Sequence, residues 1–95
     1  VRKVVWTVAA RGNLRGIDRW LEREATPAIA IAALATIRAR SHFLVDFPHG
    51  RRPLKDGTRI LRVLGTAYPI RHQISDDAIT MLRVHHERED WAVDP

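Results

Sequence analysis

The sequence predicts an α+β domain of element order β-α-α-β-β-β, a helical hairpin packed on a small, mainly antiparallel sheet. Three observations lead there. Strand-forming residues dominate Gly57 to Trp91, punctuated by Gly65 and by Ser75-Asp76-Asp77, which reads as three strands joined by two tight turns. Before it, apolar residues recur at helical spacings of three and four. Thr26-Pro27 divides that helical region in two, because threonine caps a helix and proline at its first position loses no needed N–H.

The elements follow in chain order. Val1 to Trp6 reads as a short strand, with Val4 and Trp6 on one face and Lys3 and Val5 on the other. Thr7 is placed to cap a first helix over roughly 7–24, whose inner face is Ala10, Leu14, Ile17 and Leu21. Arg11, Arg15, Asp18, Arg19 and Glu22 cover its outer side, where the acids sit at pairing distance from arginines. A second helix is expected over 27–46, with Ala30, Leu34, Ile37, Ser41 and Leu44 inward and an alanine-rich first half suited to close helix contact. The short connection makes the pair antiparallel.

Phe47 to Pro53, with two prolines and a glycine, reads as a loop. The three strands are then expected over 58–64, 68–74 and 78–86. Alternation puts Tyr68, Ile70, His72 and Ile74 on one face of the second and Arg71 and Gln73 on the other. In the last, it puts Leu82 and Val84 together, opposite Ile79, Met81 and Arg83. The chain contains no internal repeat or low-complexity segment.

Ninety-five residues form one expected domain over 1–95, and a hydrophobic fraction of 45% fits a folded chain. Cysteine is absent, which excludes disulfides and thiolate metal sites. The longest apolar run, Ala28 to Ala35, is short for a bilayer, and no signal-peptide pattern opens the sequence, so the expected location is the cytoplasm. The net charge of +5 is concentrated: His49 to Ser75 holds Arg51, Arg52, Lys55, Arg59, Arg62 and Arg71 against Asp56 alone. Such a segment fits an anionic partner, nucleic acid or acidic protein, and equally a solvated surface.

The side chains that suggest chemistry are scattered. The five histidines show no metal-ligand spacing, and His85 and His86 point to opposite faces as neighbours on a strand. His72 reads as a structural residue, packed or hydrogen-bonded. Glu87, Glu89 and Asp90 read as a solvated charged end. Gly50, Gly57 and Gly65 are isolated, so no phosphate-binding loop is present, and Ser41 and Ser75 lack a nucleophile-elbow context. Trp6, Trp20 and Trp91 read as packing residues, Trp91 either capping the sheet or facing a partner.

The element order resembles the RelE/ParE superfamily of toxins from bacterial toxin–antitoxin modules. Trp6-Thr7-Val8-Ala9-Ala10 followed by Leu14 and Ile17 is similar to the family's passage from strand to first helix. Leu44-Val45-Asp46-Phe47-Pro48-His49-Gly50-Arg51 is similar to its leucine–proline–glycine–arginine loop, and Gly57-Thr58-Arg59-Ile60-Leu61 to its glycine–x–arginine strand start. Ile79 to Asp90, with Leu82-Arg83-Val84, His86, Arg88 and Asp90, resembles the closing strand of ParE-type members, the plasmid stabilisation toxins.

The resemblance implies function along one of two branches. RelE-type members cleave mRNA on the ribosome with basic residues, including a central-strand arginine, and often a C-terminal tyrosine. Here Tyr68-Pro69-Ile70 puts proline at that arginine, and no tyrosine follows Arg88. Loss of an oxyanion-stabilising guanidinium is disabling. ParE-type members lack that set and inhibit DNA gyrase without being enzymes, so the departure favours ParE. This reading implies no catalytic residues, cofactor, metal or membrane partner. Its expected partners are DNA gyrase and a cognate ParD-like antitoxin in a hetero-oligomer. Candidate target contacts are Arg51, Arg52, Arg83, His86, Arg88 and Trp91. Candidate antitoxin contacts are Arg59, Arg62, Ala30, Ala33, Leu34 and Ile37. The alternative, a RelE-type ribosome-dependent endoribonuclease, would use Arg59, Arg71, Arg83 and His86.

Overall fold

The computed structural model describes residues 2–48 and 53–88. The elements are β1 (Lys3–Trp6), α1 (Val8–Glu24), α2 (Pro27–Asp46), β2 (Arg59–Leu61), β3 (Ile70–Ile74) and β4 (Ala78–Val84). The strands form one sheet in the order β1-β4-β3-β2, parallel between β1 and β4 and antiparallel elsewhere. The α1–α2 hairpin covers one face of this sheet, and Ala10, Leu14, Leu21, Ala30, Ile37 and Leu44 close a single core with Leu61, Ile70, Ile79, Met81 and Val84.

Both helices start as their caps dictate. The Thr7 and Thr26 hydroxyls accept from the N–H groups of Ala10 and Ile29 at 3.0 and 3.1 Å, and Pro27 opens α2. Thr7 has a second task. β1 leaves β4 after Trp6 pairs with Met81, which exposes the edge of β4 beyond that point. The Thr7 hydroxyl donates to the Leu82 carbonyl at 2.9 Å, and the Asn13 side-chain oxygen accepts from the Val84 N–H at 3.0 Å. The side chains of the α1 cap and of Asn13 within α1 thus continue the ladder that β1 abandons. Thr7→Ala should cost about 1–2 kcal/mol, with most of the loss recovered by Thr7→Ser, as measured by urea denaturation.

The strands are shorter than the sequence expectation, β4 ending at Val84, and two of the boundaries have a clear local cause. β3 begins at Ile70 because Pro69 has no N–H to give the ladder, although His85 N–H still donates to the Pro69 carbonyl at 2.9 Å. β2 ends at Leu61, and the chain turns through Val63 to Thr66 with Gly65 at φ 83°. The face assignment in β4 is also corrected. Ile79, Met81 and Val84 are all buried in the core, whereas Leu82 is half-buried and Arg83 exposed. A bulge causes this: Arg71 pairs with Arg83 but His72 pairs with Met81, so Leu82 is the extra residue and the alternation changes phase.

α2 is apolar on most of its circumference. Its inner stripe of Ala30, Ile37, Ser41 and Leu44 is buried, but Ala28, Ile29, Ile31, Ala32 and Ala35 are exposed, and no charged residue occurs before Arg38. By length and composition α2 would suffice to cross a membrane, although its longest unbroken apolar run, Ala28 to Ala35, is short for one. In this fold it is one layer of the domain, with α1 and the sheet on its inner side.

Candidate interaction sites

Three regions hold the residues of functional interest. The first lies on the sheet face away from the helices. Arg71 is buried there beneath the 54–58 turn, where its Nη1 donates to Thr58 Oγ1 at 2.8 Å and to Asp56 Oδ2 at 3.2 Å. Thr58 gives Asp56 Oδ1 both its hydroxyl, at 2.7 Å, and its N–H, at 3.0 Å. These bonds, more than the Arg71 charge, hold the Asp56 carboxyl below the usual carboxylate range. Gly57 makes the turn possible at φ 86°. Arg71 Nε points to His85 Nε2 at 3.5 Å.

The second region is the C-terminal end of β4. The ladder continues past Val84, with Glu87 N–H donating to the Ala67 carbonyl at 2.8 Å, and this pairing sets the positions of His85 and His86. The His86 ring meets Tyr68 edge-on at 5.6 Å, and its Nδ1 accepts from the Arg88 N–H at 3.1 Å. Burial pushes the Tyr68 phenol up from its ordinary pKa. Arg83 donates to Asn13 at 3.2 Å. Between this end and α1 lies a cavity of about 320 Å³ lined by Gly12, Gly16, Trp20, Tyr68, His85 and His86 among others. A Cβ at Gly16 would meet nothing within 4 Å, so the helix surface is open there. Sequence reasoning missed Gly12, Asn13 and Gly16. The signal available was the four-residue spacing of the glycines on one helix face.

The third region is a groove of about 210 Å³ between α2 and β2. Arg40, Phe43 and Leu44 line it from one side of α2, and Phe47, the residue that caps the helix, continues that wall. Phe43 stacks on Phe47 at 4.7 Å, and the Arg40 guanidinium lies 4.3 Å from the Phe43 ring centre. Arg59, Ile60, Leu61 and Arg62 line the other side. Four consecutive residues lining one groove mean that it runs along the edge of β2, the outermost strand.

His72 also lines this groove and is only 3% exposed. It packs without hydrogen bonding: neither ring nitrogen has a partner. Burial pushes its pKa below the usual 6.5; the nearby Ile70 backbone opposes this in part, and the Arg59 charge adds to the depression. A histidine held neutral in the folded state leaves the unfolded chain binding more protons below pH 6.5. Stability should therefore be level above that pH and fall as pH drops through it. His72→Leu should remove this part of the slope in thermal melts taken between pH 8 and 5.

The sequence-derived candidates divide among these regions. Arg83, His86 and Arg88 lie at the β4 end, while Arg51, Arg52 and Trp91 are outside the described residues. Arg59 and Arg62 line the groove. Ala30 and Ile37 are fully buried in the core, and Ala33 and Leu34 are partly buried against it. Of the four candidates of the ribonuclease alternative, Arg71 and Arg83 are cross-strand partners on β3 and β4, Arg59 lines the groove and His86 packs on Tyr68. No group of three or more histidines or carboxylates able to hold a metal occurs among the described residues.

The profile of one protein family, described as ParE toxin of type II toxin-antitoxin system, parDE, matches residues 4–91. The chain belongs to the ParE toxin family. The same fold is seen in a solved structure described as the chromosomal ParDE TA system from P. aeruginosa, which is 22% identical with a TM-score of 0.80 over 90% of this chain and 95% of that one. No curated protein matches the chain. Family membership fits the hairpin-on-sheet architecture and makes the chain the toxin of a type II module.

Proposed function

We propose that this ParE-family toxin blocks DNA gyrase in the cytoplasm without being an enzyme, and that a cognate ParD-like antitoxin neutralises it by covering α2. The observation that carries the antitoxin half is the exposed apolar side of α2, from Ala28 through Ala35, with Ile31 at 69% exposure. The first half of α2 is apolar on its outer side as well as its inner one, and an exposed apolar face of this kind marks a surface for a partner. Protein partners recognise such surfaces with an amphipathic helix, and the basic side chains at Arg59 and Arg62 suit an acidic one. The gyrase half rests on the resemblance to ParE-type members and on Pro69 standing where RelE-type members carry the central-strand arginine.

Induced expression tests both halves. The chain alone should stop growth with cleaved DNA trapped on gyrase, and co-expression of the antitoxin encoded beside it should restore growth. In vitro, the purified toxin should inhibit supercoiling. Primer extension on a translated message should show no cuts within codons. Discrete ribosome-dependent cuts, abolished by Arg83→Ala, would move the chain to the ribonuclease branch.

A further inference from the structure

The groove between α2 and β2 holds a feature that folding alone does not account for. His72 is buried with both ring nitrogens unpartnered, in a wall made otherwise of Phe43, Leu44, Phe47 and Leu61. A leucine would fill the position without burying two polar atoms, so histidine here costs stability. Three guanidinium-bearing residues, Arg40, Arg59 and Arg62, line the same groove. The ring thus sits at the floor of an apolar, cationic slot beside an open strand edge.

We propose that His72 is a specificity anchor for the antitoxin: a carboxylate of the partner, set between apolar residues, enters this groove, accepts a hydrogen bond from the imidazole N–H and lies among the three guanidinium groups. The inference rests on the antitoxin reading above and adds to it the side chain that the toxin selects. The apolar flanks fill the Phe43–Phe47 side of the slot, and the acid supplies what the imidazole lacks. Histidine χ2 is a soft torsion, so a modest ring rotation turns a nitrogen to the groove floor. Phe43 and Phe47, at 43% and 59% exposure, form the lip that the partner would cover. The arrangement selects against a partner carrying leucine at that position, which would leave the buried nitrogens unsatisfied.

The test uses the purified toxin and the full-length antitoxin encoded beside it. In ¹⁵N-resolved spectra of the histidine rings, the complex should show a slowly exchanging His72 ring N–H that the free toxin lacks. His72→Leu should melt several degrees higher than wild type yet bind the antitoxin at least tenfold more weakly by calorimetry. His72→Gln, which keeps a donor, should bind within about threefold of wild type. One Glu→Gln or Asp→Asn change in the antitoxin should match the His72→Leu loss and be non-additive with it. Identical His72 ring signals in the free and bound states, or wild-type affinity in His72→Leu, would overturn the anchor while leaving the antitoxin reading intact. Additive losses for every antitoxin carboxylate would overturn the carboxylate as its partner. Failure of wild-type toxin to bind the antitoxin at all would instead sink the functional reading, and the anchor with it.

Discussion

Ile70→Ala should destabilise the domain by about 3–4 kcal/mol. Ile70 is fully buried on the central strand β3, paired with Leu61 on one side and Val84 on the other, and belongs to the core that both helices close. Truncation removes its transfer energy and leaves a void that two strand neighbours cannot fill. A domain of this size has roughly 5–14 kcal/mol in hand, so the variant forfeits a quarter to more than half of it. Urea denaturation should show the midpoint falling with an unchanged slope, and the melting temperature should drop by on the order of 15 °C. A loss under about 1 kcal/mol would mean that the sheet and helices repack around the site and that the core is not tightly packed there.

Ile31→Glu should have the opposite profile, nearly silent in folding and large in partner binding. Ile31 is mostly exposed, so the change should shift stability by no more than about 0.5 kcal/mol. It places a carboxylate in the middle of the uncharged side of α2, where burial by an antitoxin would desolvate it without a partner. Affinity should fall about 30-fold or more by calorimetry. In cells, antitoxin co-expression should no longer restore growth against the variant, while growth arrest by the variant alone persists. Full rescue with wild-type affinity would show that the antitoxin binds elsewhere, and the exposed face of α2 would lose its assigned role.

Much of the architecture was legible in the sequence because its signals are local. Thr7 and Thr26-Pro27 announce the helix starts through side-chain and backbone chemistry within four residues. Ala10, Leu14 and Leu21 show the inner face of α1 by period alone, and Ala30, Ile37, Ser41 and Leu44 do the same for α2. The family motifs are likewise short strings in order, so membership of the ParE toxins could be anticipated from Trp6 to Asp90.

Tertiary structure decided what depends on pairing between distant segments. The β4 bulge that puts Val84 in the core with Met81 arises from register against β3, and alternation within one strand cannot reveal it. Arg71 counted as surface charge in the sequence, yet the 54–58 turn folds over it and brings Asp56 and Thr58 to its guanidinium. Asn13 became a strand partner only because β1 ends before β4 does. His72 read as packed or hydrogen-bonded, and only the assembled core shows that it is the first without the second. The inner stripe of α2 was legible by period, but only the assembled fold shows that Ala28, Ile29, Ile31, Ala32 and Ala35 on its other side stay exposed. Sequence determined the elements, their order and the family, because those follow from contacts a few residues apart. Three-dimensional closure decided which side chains are used up inside the fold and which remain for a partner.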